Sequence, residues 1–521
     1  MIRLLGPSFS RSLRHLPKQN RTVLFTFRRM ASNVAAAFAL KDEGLLQTKG
    51  YIAGSWRDAI DGSTVSVTNP ATGKEIGTVP EMGMKETQEA ITAAQTAFKS
   101  WKMTTAKQRH DLLMKLYALI QEHSDDLSRI LTLENGKTLA DAKSEIAYSN
   151  SFIEWFAEEA VRTYGETIPS PVLSVRNVTL MQPVGVCAIL TPWNFPSAMI
   201  TRKLGAALAA GCTAVVKPPP ETPFSALALT ELARRAGFPD GVINVVTTLK
   251  NVGDVGKTLC ESPVVRKVTF TGSTQVAKLL YGMSASTMKK ISFEAGGNSP
   301  FIVFDDADID AAVEGAIICK YRASGQTCVC ANRIYVHSSV YAEFASRLAA
   351  RVATFKVGNG MDKETTHGPL IHDRAIQKVE AHVNDAVSQG AQVLVGGSRI
   401  EGPGSFFAPT VLSDVPPHVR LSNEETFGPV AALIKFETEE EVLKLANDTP
   451  YGLAGYFYSR DVGRVWRVAE ALEVGMVGTN TGLISQATIP FGGIKESGLG
   501  REGAHGIQEY MQTKFIAFGG I

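Results

Sequence analysis

The feature that most constrains the fold of this chain is a regular alternation of short apolar segments and helical segments that begins near residue 183. Four segments have the length and the Val/Ile content of buried strands, at 186–190, 213–216, 242–246 and 265–270. Helical patterns separate them, at 199–210, 223–236 and 253–261. This order predicts a parallel sheet with helices on both faces, and therefore an α/β fold.

A second alternation follows residue 294 and predicts a second α/β unit. Its strands fall at 301–304, 333–336 and 430–436, and its helices at 308–320, 340–355, 438–447 and 461–472. Amphipathic helices are predicted before the first alternation, at 85–134 and 137–162. At 521 residues the chain exceeds one ordinary domain, yet no Pro-, Gly- or Ser-rich linker separates the two units. We therefore expect them to pack together, with a functional site in the crevice between them.

The charge distribution separates the amino terminus from the rest of the chain. Residues 1–41 hold eight basic residues and no acid, which leaves 45 basic and 51 acidic residues elsewhere. A mildly acidic body gives no support for nucleic-acid binding. The Arg- and Ser-rich segment 1–40 predicts a mitochondrial presequence and a matrix location, with a disordered basic tail as the alternative. Met30 could start a shorter, cytoplasmic form.

The cysteines and the hydrophobic pattern argue against three further classes: membrane-spanning proteins, disulfide scaffolds and zinc proteins. No uninterrupted apolar run reaches the ~18–20 residues that a membrane span needs. The six cysteines suit a reducing compartment rather than a disulfide scaffold. They show neither a CxxC motif nor a Cys/His zinc spacing, so we expect no bound metal: Cys187, Cys212, Cys260, Cys319, Cys328 and Cys330.

Cys328 is the candidate nucleophile, because a thiolate is the strongest nucleophile that a side chain offers near neutral pH. A lone cysteine is more often a small buried hydrophobe. Here, however, Cys328 follows a Ser-Gly-Gln-Thr lead-in, and two polar motifs lie upstream. Glu294 lies in FEAGGN at 293–298, and Asn194 lies in TPWNFP at 191–196. The three residues supply a nucleophile, a base and an oxyanion donor.

These motifs, in this order, resemble those of the aldehyde dehydrogenase superfamily, and the resemblance runs from about residue 48 to the C-terminus. It implies an aldehyde dehydrogenase fold in three parts. A Rossmann-like NAD(P)-binding domain would comprise 41–164 and 184–296, and an α/β catalytic domain would comprise 297–504. A small β oligomerisation arm, at 165–183 and 505–521, would join subunits into a homo-oligomer, a dimer of dimers.

The resemblance also implies a reaction. Glu294 would accept the proton of Cys328, directly or through water, and the thiolate would attack an aldehyde carbon. The Asn194 amide and the Cys328 backbone N–H would donate hydrogen bonds to the oxyanion. Loss of hydride would leave a thioester, and Glu294 would activate the water that hydrolyses it. The alternatives are a Cys–His hydrolase or acyltransferase, although no histidine lies in a recognisable motif, and a non-catalytic relative.

The expected cofactor is NAD or NADP. Lys217 ends a predicted strand, where ligands bind in open α/β sheets. Gly272 and Ser273 lie between a strand and a helix, where backbone N–H groups meet phosphate. The resemblance places Lys217 at the adenosine ribose and Ser273 at the pyrophosphate. It assigns the nicotinamide ribose and further cofactor contacts to Glu425, Phe427, Thr191, Pro192 and Trp193.

The nucleotide preference stays open. Many relatives that use NAD carry an acid at the position of Pro220, where it repels a 2′-phosphate, and here the acid is displaced to Glu221. The G-x-G-x-x-G match at 498–503 lies outside any βαβ unit, so we do not interpret it as a dinucleotide fingerprint.

Two arginines near the chemistry indicate the substrate. Arg202 lies eight residues after Asn194 and Arg322 lies six before Cys328, and together they could clamp a carboxylate. Read alone, each could be an ordinary ion-pair residue. The stretches 195–203, 321–330 and 482–485 resemble the succinate-semialdehyde dehydrogenases, which adds Ser485 as a third carboxylate ligand, although Thr481 replaces the usual Glu.

The expected reaction is therefore the oxidation of succinate semialdehyde to succinate in 4-aminobutyrate degradation. Glutarate semialdehyde and a general aldehyde are the alternative substrates.

Cys330 lies two residues after the candidate nucleophile. It is either a small packing residue or a resolving thiol that forms a disulfide with oxidised Cys328. A bridge across a single residue requires a bent or mobile loop. The sequence therefore predicts a redox pair only if the chain turns at 328–330.

Overall fold

The computed structural model describes residues 38–521. Most of the predicted presequence, together with Met30, lies outside the described residues. Within them, no helix combines the length and the apolar character needed to cross a membrane.

The described residues form 24 strands. They are β1 (Gly50–Ile52), β2 (Ser55–Arg57), β3 (Thr64–Thr68), β4 (Glu75–Pro80), β5 (Thr167–Ile168), β6 (Val175–Pro183), β7 (Val186–Leu190), β8 (Thr213–Lys217), β9 (Ile243–Val245), β10 (Val265–Thr271), β11 (Lys290–Glu294), β12 (Ser299–Val303), β13 (Ala331–His337), β14 (Gln392–Val395), β15 (Thr410–Ser413), β16 (Val430–Phe436), β17 (Tyr451–Gly452), β18 (Ala454–Tyr458), β19 (Met476–Thr479), β20 (Pro490–Phe491), β21 (Ile494–Lys495), β22 (Gly498–Leu499), β23 (Glu502–Gly503) and β24 (Met511–Gly519).

The same part of the chain forms 14 α-helices. They are α1 (Met84–Trp101), α2 (Ala106–Glu122), α3 (Ser124–Asn135), α4 (Leu139–Ala160), α5 (Ala198–Ala210), α6 (Pro223–Ala236), α7 (Val252–Glu261), α8 (Thr274–Ser284), α9 (Ile309–Tyr321), α10 (Ser338–Val352), α11 (Asp373–Ser388), α12 (Arg420–Asn423), α13 (Glu439–Asn447) and α14 (Val462–Ala471). Short 3₁₀ turns lie at Glu43–Leu45, Arg322–Gly325 and Gly506–Tyr510.

The first sheet has eight strands in the order β2-β1-β9-β8-β7-β10-β11-β22. Its five central strands are parallel, whereas β1 and β22 run antiparallel to the strands beside them. Alternate residues of β7 enter different cores: Cys187 and Ile189 pack in one, and Val186 and Ala188 in the other. Both faces are therefore covered, as the continuous apolar runs of its strands predict.

The second sheet has seven strands in the order β14-β15-β16-β13-β12-β18-β19. All neighbours are parallel except the edge pair β14 and β15. Residues of β12 again alternate, with Phe301 and Val303 in one core and Ile302 in the other. The predicted architecture of two parallel-sheet units is confirmed.

A third sheet consists of three antiparallel strands in the order β24-β6-β5. The pairing of β24 with β6 runs from Met511↔Pro183 to Gly519↔Val175 and joins the C-terminal strand to the middle of the chain. The segment near 165–183 and the C-terminal strand therefore belong to one sheet.

Candidate active site

Cys328 lies in the loop that connects α9 to β13, and the backbone before it is bent into an uncommon conformation. Ala323 and Ser324 have φ values of 50° and 55°, and Gly325 has a φ of 75°. A Cβ at position 325 would lie 2.2 Å from the Gly428 carbonyl oxygen, so only glycine allows this approach. Uncommon φ values are tolerated where the surroundings fix them, and they cluster at functional sites.

Side chains of the same loop fix it to the neighbouring segment 368–371. Ser324 Oγ donates to the Gly368 carbonyl at 2.8 Å, and the Ile371 N–H donates to Gln326 Oε1 at 3.0 Å. The Cys330 N–H donates to the Thr327 carbonyl at 3.0 Å, which closes a turn around Cys328. Cys330 itself is 1% exposed, whereas Cys328 is partly accessible.

Glu294 is the last residue of β11 and is buried beside Cys328. Its Oε2 accepts a hydrogen bond from Thr271 Oγ1 at 3.2 Å, and its Oε1 has no hydrogen-bond partner among residues 38–521. The backbone around it is held by the C-terminal part of the chain, because β22 pairs with β11 and the Ala295 N–H donates to the Ser497 carbonyl at 2.8 Å.

Asn194 lies between β7 and α5, and its amide reaches the loop that carries Cys328. Its Nδ2 donates to the Gln326 carbonyl at 3.1 Å. Its Oδ1 is buried and makes no hydrogen bond within the described residues. The amide donor is therefore directed at the backbone two residues before the thiol, within the same loop.

Burial raises the pKa of both Cys328 and Glu294. Burial and the neighbouring Glu294 carboxylate raise the pKa of the Cys328 thiol well above its usual range. Burial also raises the pKa of Glu294, and Arg202 acts in the opposite direction. The thiol is protonated at rest, and a carboxylate of raised basicity is the neighbour that can take its proton.

A cleft of about 390 Å³ opens on one side of Cys328 and brings together most of the predicted cofactor residues. Trp193 and Phe427 form an aromatic wall, with ring centroids 5.5 Å apart in an edge-to-face arrangement. Further lining comes from Pro192, Asn194, Thr271, Gly272, Ser273, Ala295, Gly296, His372, Arg374, Ala375, Lys378, Glu425 and Thr426.

The groups in and beside this cleft fit a dinucleotide. Ser273 precedes α8 and directs the N-terminus of that helix to the cleft, where an anion is favoured. Glu425 accepts from the Gly297 N–H at 3.2 Å, and burial raises its pKa to about 7. Thr191 Oγ1 is buried and has no hydrogen-bond partner in the part of the chain from residue 38 onward. Its hydroxyl, the helix N-terminus and a carboxylate match phosphate and ribose chemistry.

Lys217 lies outside the cleft wall, at the end of β8. It pairs in register with Leu190, and the Thr191 N–H donates to its carbonyl at 3.3 Å. Burial lowers the pKa of Lys217 to about 8, while the nearby carboxylate of Glu221 acts in the opposite direction. The displaced acid of the sequence therefore lies close enough to Lys217 to act on its charge.

A second cavity, of about 270 Å³, lies against Phe195 and is lined by several charged and polar residues. Its wall comprises Lys137, Asp141, Ser144, Glu145, Tyr148, Phe195, Arg322, Ala323, Leu483 and Ser485. The Arg322 guanidinium stacks at 5.5 Å from the Phe195 ring, and it forms no ion pair with a carboxylate of residues 38–521. Arg322 and Ser485 are thus brought together at one wall.

Comparison with known proteins decides the family, because residues 56–516 match the aldehyde dehydrogenase family. The chain belongs to this family. A glutarate-semialdehyde dehydrogenase of Pseudomonas putida is 58% identical, over 92% of this chain and 99% of the relative. An NADP(+) succinate-semialdehyde dehydrogenase of Escherichia coli is 54% identical, over 92% and 99%. The crystal structure of a succinate-semialdehyde dehydrogenase from Burkholderia pseudomallei is 55% identical, with a TM-score of 0.91 over 92% of this chain and 100% of that one.

Membership of the aldehyde dehydrogenase family confirms the fold and decides against a Cys–His hydrolase. Within residues 38–521 of this aldehyde dehydrogenase, no group of three or more His, Cys, Asp or Glu side chains is placed to hold a metal ion. The G-x-G-x-x-G match at 498–503 contains the two short strands β22 and β23. There Glu502 faces two buried cations instead of a phosphate.

Arg202 does not line the substrate-side cavity of this aldehyde dehydrogenase. Its side chain is 1% exposed, and its Nε lies 2.6 Å from Glu502 Oε2. Glu502 also contacts the Lys203 ammonium, and the Phe491 ring covers the guanidinium at 4.1 Å. Burial raises the pKa of the partly buried Tyr148, and the charges of Arg202 and Arg322 oppose that rise. Tyr148 therefore lies close to both arginines.

The sequence analysis did not anticipate Lys137, Glu145 or Tyr148 as site residues of this aldehyde dehydrogenase. Glu145 falls on the same helical face as Ala142, Ile146 and Ser149, all of which are buried. A charge on an apolar face needs a partner. That pattern is the signal that could have identified Glu145.

Proposed function

We propose that this aldehyde dehydrogenase oxidises succinate semialdehyde to succinate with NAD or NADP, as a step of 4-aminobutyrate degradation. The observation that carries the proposal is the Arg322 guanidinium, which has no carboxylate partner within residues 38–521 and shares a cavity wall with Ser485 beside the catalytic loop. A guanidinium and a hydroxyl at one wall suit a substrate carboxylate.

The first half-reaction uses the side chains of Glu294, Cys328 and Asn194. Glu294 takes the proton of Cys328, and the thiolate attacks the carbonyl carbon to form a thiohemiacetal anion. The Asn194 Nδ2 and the Cys328 N–H donate to the anionic oxygen, and one such donor contributes about 10²–10³-fold to the rate. A bound nicotinamide supplies a hydride acceptor in the cleft beside Cys328.

The second half-reaction releases the acid. After loss of hydride the substrate is a thioester on Cys328. Glu294 accepts a proton from water, the hydroxide adds to the acyl carbon, and the Cys328 thiolate leaves. A general base contributes about 10²–10⁴-fold to such a step. Because Glu294 acts in both half-reactions, no histidine is needed.

We assign the cofactor to the cleft that contains Trp193, Ser273, Glu425 and Phe427, with Thr191 and Pro192 at its end. The proposed NAD(P)-binding domain, 41–164 and 184–296, contains seven strands of the first sheet. The proposed catalytic domain, 297–504, contains the second sheet and supplies β22, the eighth strand of the first. Lys217 with Glu221 is the proposed adenosine-ribose contact. The proximity of Glu221 to Lys217 supports the use of NAD. Because position 220 is proline and not an acid, we expect NADP to be accepted as well.

A kinetic panel tests the substrate assignment. We expect kcat/KM for succinate semialdehyde to exceed that for butanal, which has the same carbon number but no carboxylate, with either nucleotide. Glutarate semialdehyde, one methylene longer, is the second candidate, because a relative of that name shares 58% identity with this chain. A higher kcat/KM for glutarate semialdehyde would transfer the assignment to it, and equal values for all three would remove the carboxylate from recognition.

We also propose that the three-stranded arm, 165–183 with 505–521, joins subunits into a dimer of dimers. The arm presents large apolar side chains to solvent in the isolated chain, including Leu173 at 95% and Phe515 at 58% exposure. Apolar side chains exposed together mark protein interfaces. Light scattering of the full chain and of Phe515→Asp tests this, and a wild-type protein that elutes as a monomer contradicts it.

The bent loop supports a redox role for Cys328 and Cys330, because both residues lie in the turn that the Cys330 N–H closes with the Thr327 carbonyl. Peroxide would oxidise the Cys328 thiol to a sulfenic acid with release of water, and the Cys330 thiol would displace a second water to form the disulfide. We expect peroxide inactivation that a dithiol reverses in the parent but not in Cys330→Ala. Equal recovery in both proteins would make Cys330 a packing residue.

The mitochondrial location stays a prediction from residues 1–40. A fluorescent fusion of the full chain, compared with one that begins at Met30, tests it. We expect mitochondrial fluorescence from the first fusion and cytoplasmic fluorescence from the second.

A further inference from the structure

The segment that carries Asn194 is held in place by buried side chains from the loop 135–138 and from α4. Asn135 Nδ2 donates to the Trp193 carbonyl at 2.8 Å. Lys137 Nζ donates to the carbonyl of Asn194 itself, also at 2.8 Å. The backbone of Trp193 and Asn194 is therefore held by residues 58 and 57 positions earlier in the chain.

Lys137 is completely engaged at this position. Its Nζ lies 2.5 Å from Glu145 Oε2, and it stands over the Phe195 ring at 4.2 Å from the centroid. An ammonium has three donors, and here they face a carboxylate, a carbonyl and a ring. With side-chain exposures of 2% for Lys137 and 0% for Glu145, the pair is almost inaccessible to water.

Glu145 extends the same contact to the start of α5. Its Oε1 accepts from the N–H groups of Ser197 at 2.9 Å and Ala198 at 3.3 Å. Ser197 is the residue before α5 and makes no capping bond with its own side chain, so a carboxylate from α4 does the capping. One ion pair thus fixes both the carbonyl of Asn194 and the helix that begins four residues later.

We propose that the Lys137–Glu145 ion pair positions the Asn194 amide for the oxyanion of the substrate. The inference rests on the oxyanion role proposed for Asn194. A buried ion pair is weak as a source of stability and is often replaceable by apolar residues. The Lys137 ammonium, however, donates to the backbone of Asn194 and so fixes the position from which the Asn194 side chain extends. A displacement of about 1 Å in such a group can cost about 10²-fold in rate.

A double-mutant cycle with Asn194 tests positioning against a merely structural role. The variants are Lys137→Met and Glu145→Gln, each in the parent and in Asn194→Ala, with the first-turnover burst of reduced nucleotide as the readout. If the pair acts through Asn194, Lys137→Met slows the burst about 10–100-fold in the parent and less than about 3-fold in Asn194→Ala. Glu145→Gln should behave alike with a smaller loss, and it carries the test if Lys137→Met does not fold.

Two controls separate positioning from damage to the site. The rate of Cys328 alkylation by iodoacetamide involves no oxyanion, so Lys137→Met should change it by less than about 3-fold. Lys143→Met removes an exposed ion pair with Asp125 from the same helix, and its burst should equal that of the parent.

The outcomes distinguish two failures. If Asn194→Ala alone keeps the parent burst rate, the oxyanion role of Asn194 is wrong. If Asn194→Ala has a slow burst, and Lys137→Met slows the burst by the same factor in Asn194→Ala as in the parent, the role of Asn194 stands and the positioning proposal is overturned. A loss of alkylation as large as the loss of the burst would also overturn it.

Discussion

The cofactor cleft, which Cys328 lines, and the substrate-side cavity, which Arg322 of the same loop lines, differ in the composition of their walls. The wall of the cofactor cleft includes two glycines, Gly272 and Gly296, and the two aromatic rings of Trp193 and Phe427, and its charged residues are a minority. The substrate-side cavity is built from side chains of α4 and the catalytic loop, and charged residues make up much of its wall, among them Lys137, Asp141 and Arg322.

This difference implies two kinds of recognition. Backbone and aromatic surfaces bind a ligand by shape and by many small contacts, so the loss of one side chain should cost little. A charge in a small cavity binds through few strong contacts, and removing one leaves a buried partner unpaired. The variants below therefore separate the effects on the nucleotide from the effects on the aldehyde.

The largest expected effect comes from Cys328, the candidate nucleophile, which lines the cofactor cleft. Cys328→Ala should abolish turnover, because no thiolate attacks the aldehyde, while nucleotide binding, followed by Trp193 fluorescence, stays close to that of the parent. Cys330→Ala should retain most activity, since Cys330 is buried and lines neither cavity. Equal loss in the two variants would make the assignment of the nucleophile wrong.

Arg322→Ala should act on the substrate alone. Truncating one partner of a buried charge pair costs roughly 2–5 kcal/mol. We therefore expect KM for succinate semialdehyde to rise by about 30- to about 4,000-fold, with little change for butanal or for the nucleotide. Arg202→Ala should raise it less, because Glu502 already shares the charge of Arg202. Parallel losses with both aldehydes would make the arginines structural.

The pH dependence of nucleotide binding should report Glu425. Its pKa is raised to about 7 by burial, and the ionised form is the one that accepts hydrogen bonds from ribose hydroxyls. As the pH falls from 8 to 6 the carboxylate is protonated, so the dissociation constant should rise by about 5–10-fold. Glu425→Gln should give a flat profile, and an unchanged slope in that variant would point to another group.

The smallest expected effect concerns nucleotide choice. Glu221 lies near Lys217 but not at the position that excludes a 2′-phosphate in many relatives. The parent should use both nucleotides, and Glu221→Gln should raise the ratio of kcat/KM for NADP to that for NAD by about 2–5-fold. A parent that rejects NADP, together with a variant that accepts it, would show that Glu221 alone excludes the 2′-phosphate.

The elements that the sequence predicted best are buried on both faces. The predicted strands 186–190 and 430–436 match β7 and β16 to the residue, because a central parallel strand is a continuous apolar run with clear ends. By contrast, the sequence analysis did not predict β22, a two-residue strand whose existence depends on pairing with β11. Nor did it predict β14, an edge strand that is largely exposed.

The same contrast applies to the site. Cys328, Glu294 and Asn194 were predicted from local motifs, and the structure brings them to one place. The partner of Arg202 could not be predicted in this way, since Glu502 lies about 300 residues away and is linked to the adjacent Lys203 across a separation of 299. Local patterns identify chemical groups, whereas pairings across the chain appear only in the folded molecule.

The position of β22 has a consequence for when the surroundings of Glu294 are completed. The strand that ends in Glu294 gains its outer neighbour from Gly498 and Leu499, and Ser497 Oγ donates to the Gly296 carbonyl across 201 residues of sequence. A ribosome releases these residues long after the strand itself, so the nascent chain holds Glu294 on an uncovered edge. The edge of the strand that ends in Glu294 is therefore covered only after residues 497–499 have emerged, so the surroundings of Glu294 are completed near the end of synthesis.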